Sequence, residues 1–210
     1  MAYPALRDFL RAFPLDGADL ELEEPMSLAG TERLIDRLRE DFGPGFFITL
    51  APVGSKLGGG ARFSGLDYDK PYRDRGEQIN RFHVQMYNGW GSMATTADYD
   101  RIIRQGVVPA SKVVAGTPTN PDNGTAHVPV GQLKAVVEEL IDRYPDFAGI
   151  DGWEYYNALP GGTSAPWQWA VEMSAALRHT PGADRHQHDG AVTSTLQNLA
   201  DGPGRKLLCG

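Results

Sequence analysis

Cysteine is nearly absent. The one thiol among 210 residues, Cys209, stands one residue from the C-terminus, so no disulfide framework within the chain holds it together, and the redox compartment is left open. Positive charge is also scarce. With 20 Lys and Arg against 27 Asp and Glu, the formal charge of -7 argues against general affinity for nucleic-acid phosphates or anionic lipid, which reward basic patches. A neutral or polar partner fits better. No apolar run approaches the ~20 residues of a membrane span. The first ten residues, MAYPALRDFL, show no basic region followed by an apolar core, so no export signal is expected in the chain as it stands. Asn123-Gly124-Thr125 has the form of a glycosylation acceptor, which counts only in an exported chain. No repeat at a solenoid period is found.

What is present suits one globular domain: 41% hydrophobic and 22% charged residues in a chain long enough to bury one sizeable core. Helical and strand patterns alternate, which predicts a parallel sheet with helices outside it. Tyr3 to Phe13 carries apolar residues at helical spacing, Pro14 ends it, and Leu15 to Glu23 alternates as a strand. Ser27 to Arg39 reads as the next helix, and Gly43-Pro44-Gly45 introduces a buried strand, Phe46 to Ala51. Gly54 to Gly60 reads as a long loop, and a polar segment runs on to Ile79. Further strands are expected over Arg81 to Tyr87, Lys112 to Thr117 and Phe147 to Trp153, with helices over Ala97 to Arg104, Gln132 to Arg143 and Pro166 to Arg178. From Thr180 onward Pro, Gly, Asp, His and Gln dominate, so 181–210 is expected to be a disordered tail beyond a domain of residues 1–180.

The stretch Asp16-Gly17-Ala18-Asp19-Leu20-Glu21-Leu22-Glu23 is the most informative. A period of two puts Asp19, Glu21 and Glu23 on one face and Leu20 and Leu22 on the other. Same-face neighbours on a strand lie roughly 6 to 7 Å apart, so three carboxylates in a poorly hydrated space cannot all ionise cheaply, and at least one pKa should rise. A raised carboxyl suits a general acid, the group that protonates a leaving oxygen in glycoside hydrolysis. The pattern alone leaves two other readings open: an antiparallel strand with one wet face, and an acidic strand end that binds Mg²⁺ or Ca²⁺. His83, Gln85 and Tyr87 share one face of a later strand, with Phe82, Val84 and Met86 on the other. His83 is expected to be a hydrogen-bonded interior residue, since no second His or Cys sits at metal spacing near it, and neither a metal nor a cofactor is expected.

These motifs resemble glycoside hydrolase family 18, in its chitinase-like, fungal form. The family signature Asp-x-x-Asp-x-Asp-x-Glu, which ends the fourth strand of a (β/α)8 barrel, is matched by Asp16, Asp19, Glu21 and Glu23, with Glu21 where the family has aspartate. Gln85-Met86-Tyr87-Asn88 resembles the sixth-strand motif, and Gly152-Trp153-Glu154-Tyr155-Tyr156 the eighth-strand tryptophan segment. Glu24-Pro25-Met26-Ser27, Phe47 to Pro52 and Pro166 to Ala170 also look similar to fungal members, and the resemblance runs from about Leu6 to Arg178. It implies a TIM-type α/β barrel with strands four to eight present and one to three missing. It also implies an extracellular setting and chitin or N-acetylglucosamine oligosaccharides as substrate.

Carried over by position, the resemblance implies that Glu23 is the acid and base, that Glu21 orients the N-acetyl group, and that Tyr87 donates to it. Asp16 and Asp19 would tune Glu21, Gln85 and Asn88 would shape the pocket, Trp153 would floor it, and Trp90 would contact a flanking sugar. Five parallel strands cannot close a barrel, so two sheet edges are expected to be open. Two other functions fit parts of the pattern. A catalytically silent sugar-binding relative or non-functional fragment would account for Glu21 and the missing strands. A metal-dependent phosphodiesterase on a similar barrel would account for the acids but not for Tyr87 and Trp153.

Overall fold

The computed structural model describes residues 3–13 and 15–180; the tail expected over 181–210 lies outside them. The chain runs as α1 (Tyr3–Ala12), β1 (Gly17–Leu20), α2 (Leu28–Phe42), β2 (Phe47–Leu50), β3 (Arg62–Phe63), β4 (Leu66–Asp67), α3 (Asp69–Arg75), β5 (Arg81–Gln85), α4 (Ala97–Arg104), β6 (Val113–Pro118), α5 (Val130–Arg143), β7 (Ile150–Trp153) and α6 (Trp167–Ala176). Five strands form one sheet in the order β1-β2-β5-β6-β7, and every neighbouring pair is parallel. This is an incomplete (β/α) barrel sheet with β1 and β7 as its edges.

Local rules explain the helices on its outer side. Ser27 caps α2, its Oγ accepting from Gly30 N at 3.1 Å, and Thr31, Ile35 and Leu38 form one buried stripe at i, i+4 and i+7. Gly43, at φ 79°, ends the helix where an L side chain would be strained. In α5, Leu133, Val136, Val137 and Leu140 form the buried face. Leu133, Val136 and Leu140 join Leu20, Ile48, Leu50, Phe82, Val84, Val113 and Ala115 of the sheet in one core cluster, and each fully buried side chain of this size contributes about 1.5–3 kcal/mol. Tyr99 of α4 is fully buried, and its hydroxyl donates to the carbonyls of Ala110 and Val113 at 3.2 and 3.1 Å, fastening the helix to the start of β6.

Four expectations need correction. The acidic strand is shorter than its alternation predicts: β1 ends at Leu20, and Glu21 to Glu23 continue outside the ladder. On the neighbouring strand Ala51 N makes the last bond, to Leu20 O at 3.2 Å, and the Ala51 carbonyl, the next acceptor on that side, takes the Gln85 side-chain amide at 3.2 Å instead of a backbone N–H from beyond Leu20. The strand predicted over Arg81 to Tyr87 likewise ends at Gln85, and that over Phe147 to Trp153 begins only at Ile150. The stretch after the glycine-rich loop is not irregular: β3 and β4 form a hairpin through Ser64-Gly65, with φ of 50° and 85°, followed by α3. Asp69, at the start of α3 and buried, accepts from the backbone N–H of Gly58, Gly59 and Gly60 at 2.8, 2.9 and 2.8 Å, and this holds the loop.

Exposed apolar side chains collect beside both open edges. Phe9, Phe13, Leu15 and Phe47 are exposed near β1 and β2, and so are Trp167 and Val171 on α6, which follows β7, and Leu177 just after that helix. Among the described residues no helix is long and apolar enough to cross a membrane.

Candidate active site

The C-terminal ends of the strands converge on a cleft of about 280 Å³, lined by Asp19, Glu21, Ala51, His83, Val84, Gln85, Tyr87, Gly116, Asp151, Gly152 and Trp153. This is the end of a parallel α/β barrel where strand termini deliver side chains from several elements to one point. β1 delivers Asp19, whose Oδ1 accepts from Thr49 Oγ1 at 2.6 Å. Just past β1, Glu21 and Glu23 are drawn together by β5: the Gln85 amide donates to Glu21 Oε1 at 3.3 Å, Glu23 Oε1 at 3.2 Å and the Ala51 carbonyl at 3.2 Å. Glu23 is thus joined to the cleft through Gln85. Its backbone is held from the other side, the Ser64 hydroxyl donating to Glu23 O and the Tyr68 hydroxyl to Leu22 O at 3.0 Å.

The electrostatics follow from this crowding. Burial pushes the Glu21 carboxyl above its ordinary pKa, and the charges of Glu23 and Asp19 and a hydrogen bond with Glu23 push it the same way. The carboxylate crowding expected from the alternation therefore falls on Glu21. The Tyr87 side chain is nearly buried, and burial, followed by the charges of Asp151, Glu21 and Glu23, pushes its hydroxyl well above the usual tyrosine range. Among the described residues that hydroxyl has no hydrogen-bond partner. It is a protonated donor on a residue of the cleft lining. Trp153 is half exposed at the end of β7, and its indole is free to lie against a ligand.

Three of the sequence-derived residues stand apart from the cleft. Asp16 precedes β1 at the opposite end of the strand, and its carbonyl accepts from Phe47 N at 2.8 Å. At about 3.3 Å per residue, its carboxylate is a strand's length from Glu21, too far to tune it. Asn88, at φ 53°, spends its Oδ1 on Thr125 N at 2.9 Å and so ties the loop after β5 to the loop after β6. Trp90 packs edge-on to Phe63 at 5.3 Å, with the Lys56 ammonium 5.8 Å from its ring centroid, and anchors the β3–β4 hairpin. Among the described residues no group of three or more His, Cys, Asp or Glu side chains is arranged to hold a metal ion.

One residue that the sequence reasoning did not single out stands in the cleft wall. Asp151 Oδ2 lies 3.0 Å from His83 Nδ1. The period of two that places Trp153 on the inner face of β7 places Asp151 there as well, so the signal was available. The hydrogen bond to Asp151 pushes the His83 pKa up, against the opposing effect of burial, and the charges of Asp151 and Asp19 add to it. A raised imidazole pKa contributes stability that is complete below the unfolded value of about 6.5 and is lost as pH rises through the folded value. Thermal unfolding should therefore show Tm falling as pH rises above about 6.5, and His83→Gln should flatten that slope.

Gly116 makes the pair geometrically feasible. A Cβ there would stand 2.6 Å from Asp151 Oδ1 and 2.9 Å from the Val84 carbonyl oxygen. Gly116→Ala is expected to cost about 1–3 kcal/mol, read as a lower urea midpoint at unchanged m.

Comparison with known proteins then decides the family likeness. A fungal endo-β-N-acetylglucosaminidase of glycosyl hydrolase family 18 superposes with a TM-score of 0.80 at 46% identity over 84% of this chain. The chain resembles the C-terminal part of a family 18 barrel. A chitinase from Aspergillus fumigatus gives a TM-score of 0.72 at 44% identity over 83% of the chain. The chain spans 62% and 63% of the lengths of these two proteins. A family 18 chitinase from Pseudoalteromonas aurantia, at 21% identity and a TM-score of 0.65 over 83% of this chain and 66% of its own, shares the fold. No family model matches the sequence, and no curated protein matches it. The likeness covers more than four fifths of the chain, and the cleft lies at the C-terminal strand ends of the partial barrel sheet.

Proposed function

We propose that this cleft belongs to a chitin-type glycoside hydrolase that cleaves β-1,4-linked N-acetylglucosamine polymers or oligomers by substrate-assisted, retaining catalysis. The observation that carries the reading is the meeting of Glu21 and Glu23 on the Gln85 amide, beside the unengaged Tyr87 hydroxyl and the exposed face of Trp153. Likeness at 46% identity to an endo-β-N-acetylglucosaminidase and at 44% to a chitinase points to the same substrate class.

On this reading Glu23 gives its proton to the glycosidic oxygen as the C1–O bond breaks. The carbonyl oxygen of the substrate's own N-acetyl group forms the new bond to C1, so no protein nucleophile is required. Glu21 and Tyr87 orient that group and stabilise the charge that develops on it, while Trp153 supports the sugar ring from below. Water then attacks C1, the Glu23 carboxylate takes its proton, and the N-acetyl group is released with overall retention.

Glu21, a methylene longer than the family's aspartate, favours one second reading: a relative that binds chito-oligosaccharides without cleaving them. The deciding experiment incubates the purified 210-residue chain with a fluorogenic chito-oligosaccharide and, in parallel, titrates it calorimetrically with N-acetylglucosamine oligomers and with glucose oligomers of the same linkage. Turnover supports the hydrolase. Saturable binding of the N-acetylated series alone, without turnover, supports the silent binder. Equal response to both series would remove the N-acetyl group, and with it this mechanism.

A further inference from the structure

The cleft wall holds a part-exposed His83–Asp151 pair that the mechanism above does not use. His83 on β5 and Asp151 on β7 are not sheet neighbours, because β6 lies between them. His83 is in register with Val114 and Asp151 with Gly116, so the 3.0 Å contact crosses the middle strand diagonally. It is able to do so because Gly116 presents no side chain there. The charged groups that face His83 are Asp151 from β7, Asp19 from β1 and Arg81 from its own strand. β2 offers only the Thr49 hydroxyl, already bonded to Asp19, and β6 offers no charge. Asp151 is also the first charge felt by the Tyr87 hydroxyl, which has no partner among the described residues.

We propose that His83 is a positioning residue for this cleft: it holds the Asp151 carboxylate over β6 and away from Tyr87, which keeps the tyrosine hydroxyl free to donate to a bound sugar. Without the imidazole, Asp151 is left beside one unengaged donor, the Tyr87 hydroxyl. A charge-assisted bond between them would be stronger than the bond from Tyr87 to a neutral sugar carbonyl. This inference rests on the reading of Tyr87 as a substrate-facing group.

The test measures binding of the N-acetylglucosamine tetramer to the full chain by calorimetry. His83→Phe, which keeps a ring but removes the donor, should weaken binding about tenfold, the worth of one hydrogen bond. His83→Gln, which keeps a donor without the charge, should restore most of it. In a Tyr87→Phe background the His83→Phe effect should vanish, because the tyrosine hydroxyl through which it acts is gone. Additive losses in the two variants would overturn the inference while leaving the substrate reading intact. If His83→Phe fails to fold, Asp151→Asn decides: binding should be retained or tightened, since no carboxylate competes for Tyr87, and a tenfold loss would overturn the proposal. No binding by the unaltered chain overturns the substrate reading and this inference with it.

Discussion

Glu23→Gln is expected to reduce sugar release from a fluorogenic chito-oligosaccharide by about 10²–10⁴, the usual worth of a positioned general acid and base. Binding of the same oligosaccharide should change little, because glutamine is nearly isosteric and the Gln85 amide that reaches Glu23 at 3.2 Å still meets a carbonyl oxygen. The loss should appear in kcat more than in KM, since the proton is needed only as the bond breaks. A variant within about tenfold of the unaltered chain would move the acid role away from Glu23. Glu21 would be the next candidate, because burial and its acidic neighbours already push its pKa up.

The second large effect is structural. Arg39, in the last turn of α2, donates to the carbonyls of Gly43 at 3.1 Å, Pro44 at 3.2 Å, Phe46, and Gln78 at 2.6 Å, and to Asn80 Oδ1 at 2.8 Å. Asn80 Oδ1 also accepts from Ile48 N at 2.9 Å, so one guanidinium brackets the start of β2 and the approach to β5. Arg39→Ala would leave several half-buried acceptors without their donor, and a loss of roughly 2–4 kcal/mol is expected in urea unfolding. Arg39→Lys should recover only part of it, since a single ammonium cannot span the positions a planar fork reaches. A loss below about 1 kcal/mol would mean that water replaces the guanidinium at these carbonyls.

Both predictions turn on the strand ends, where the sequence was legible only in part. The period of two identified the inner faces well: Phe82, Val84 and Met86 are fully buried on the helix side, while His83 and Gln85 line the cleft. It failed on strand length, because a strand lasts only as long as its neighbour supplies hydrogen bonds. Leu15 to Glu23 alternates throughout, yet the ladder ends at Leu20, because the Ala51 carbonyl that would come next is taken by the Gln85 amide. The hairpin through Ser64-Gly65 was masked by its glycine-rich surroundings, although Ser-Gly is itself a turn signal.

The sequence by itself determined the parallel α/β layering, the inner and outer faces of the strands and the gathering of acids near one strand end, because these follow from local periodicity and apolar burial. Only the tertiary structure decided which of those acids meet. Glu21 and Glu23 come together on a side chain 64 and 62 residues away, and Asp151 reaches His83 across a strand that glycine leaves bare. Asp16, Asn88 and Trp90, close to the cleft residues in sequence, are taken up instead by contacts at the far end of β1 and in the neighbouring loops. The physical reason is that register, ladder termination and cross-strand reach are set by pairs of segments, and no single segment carries the information for both.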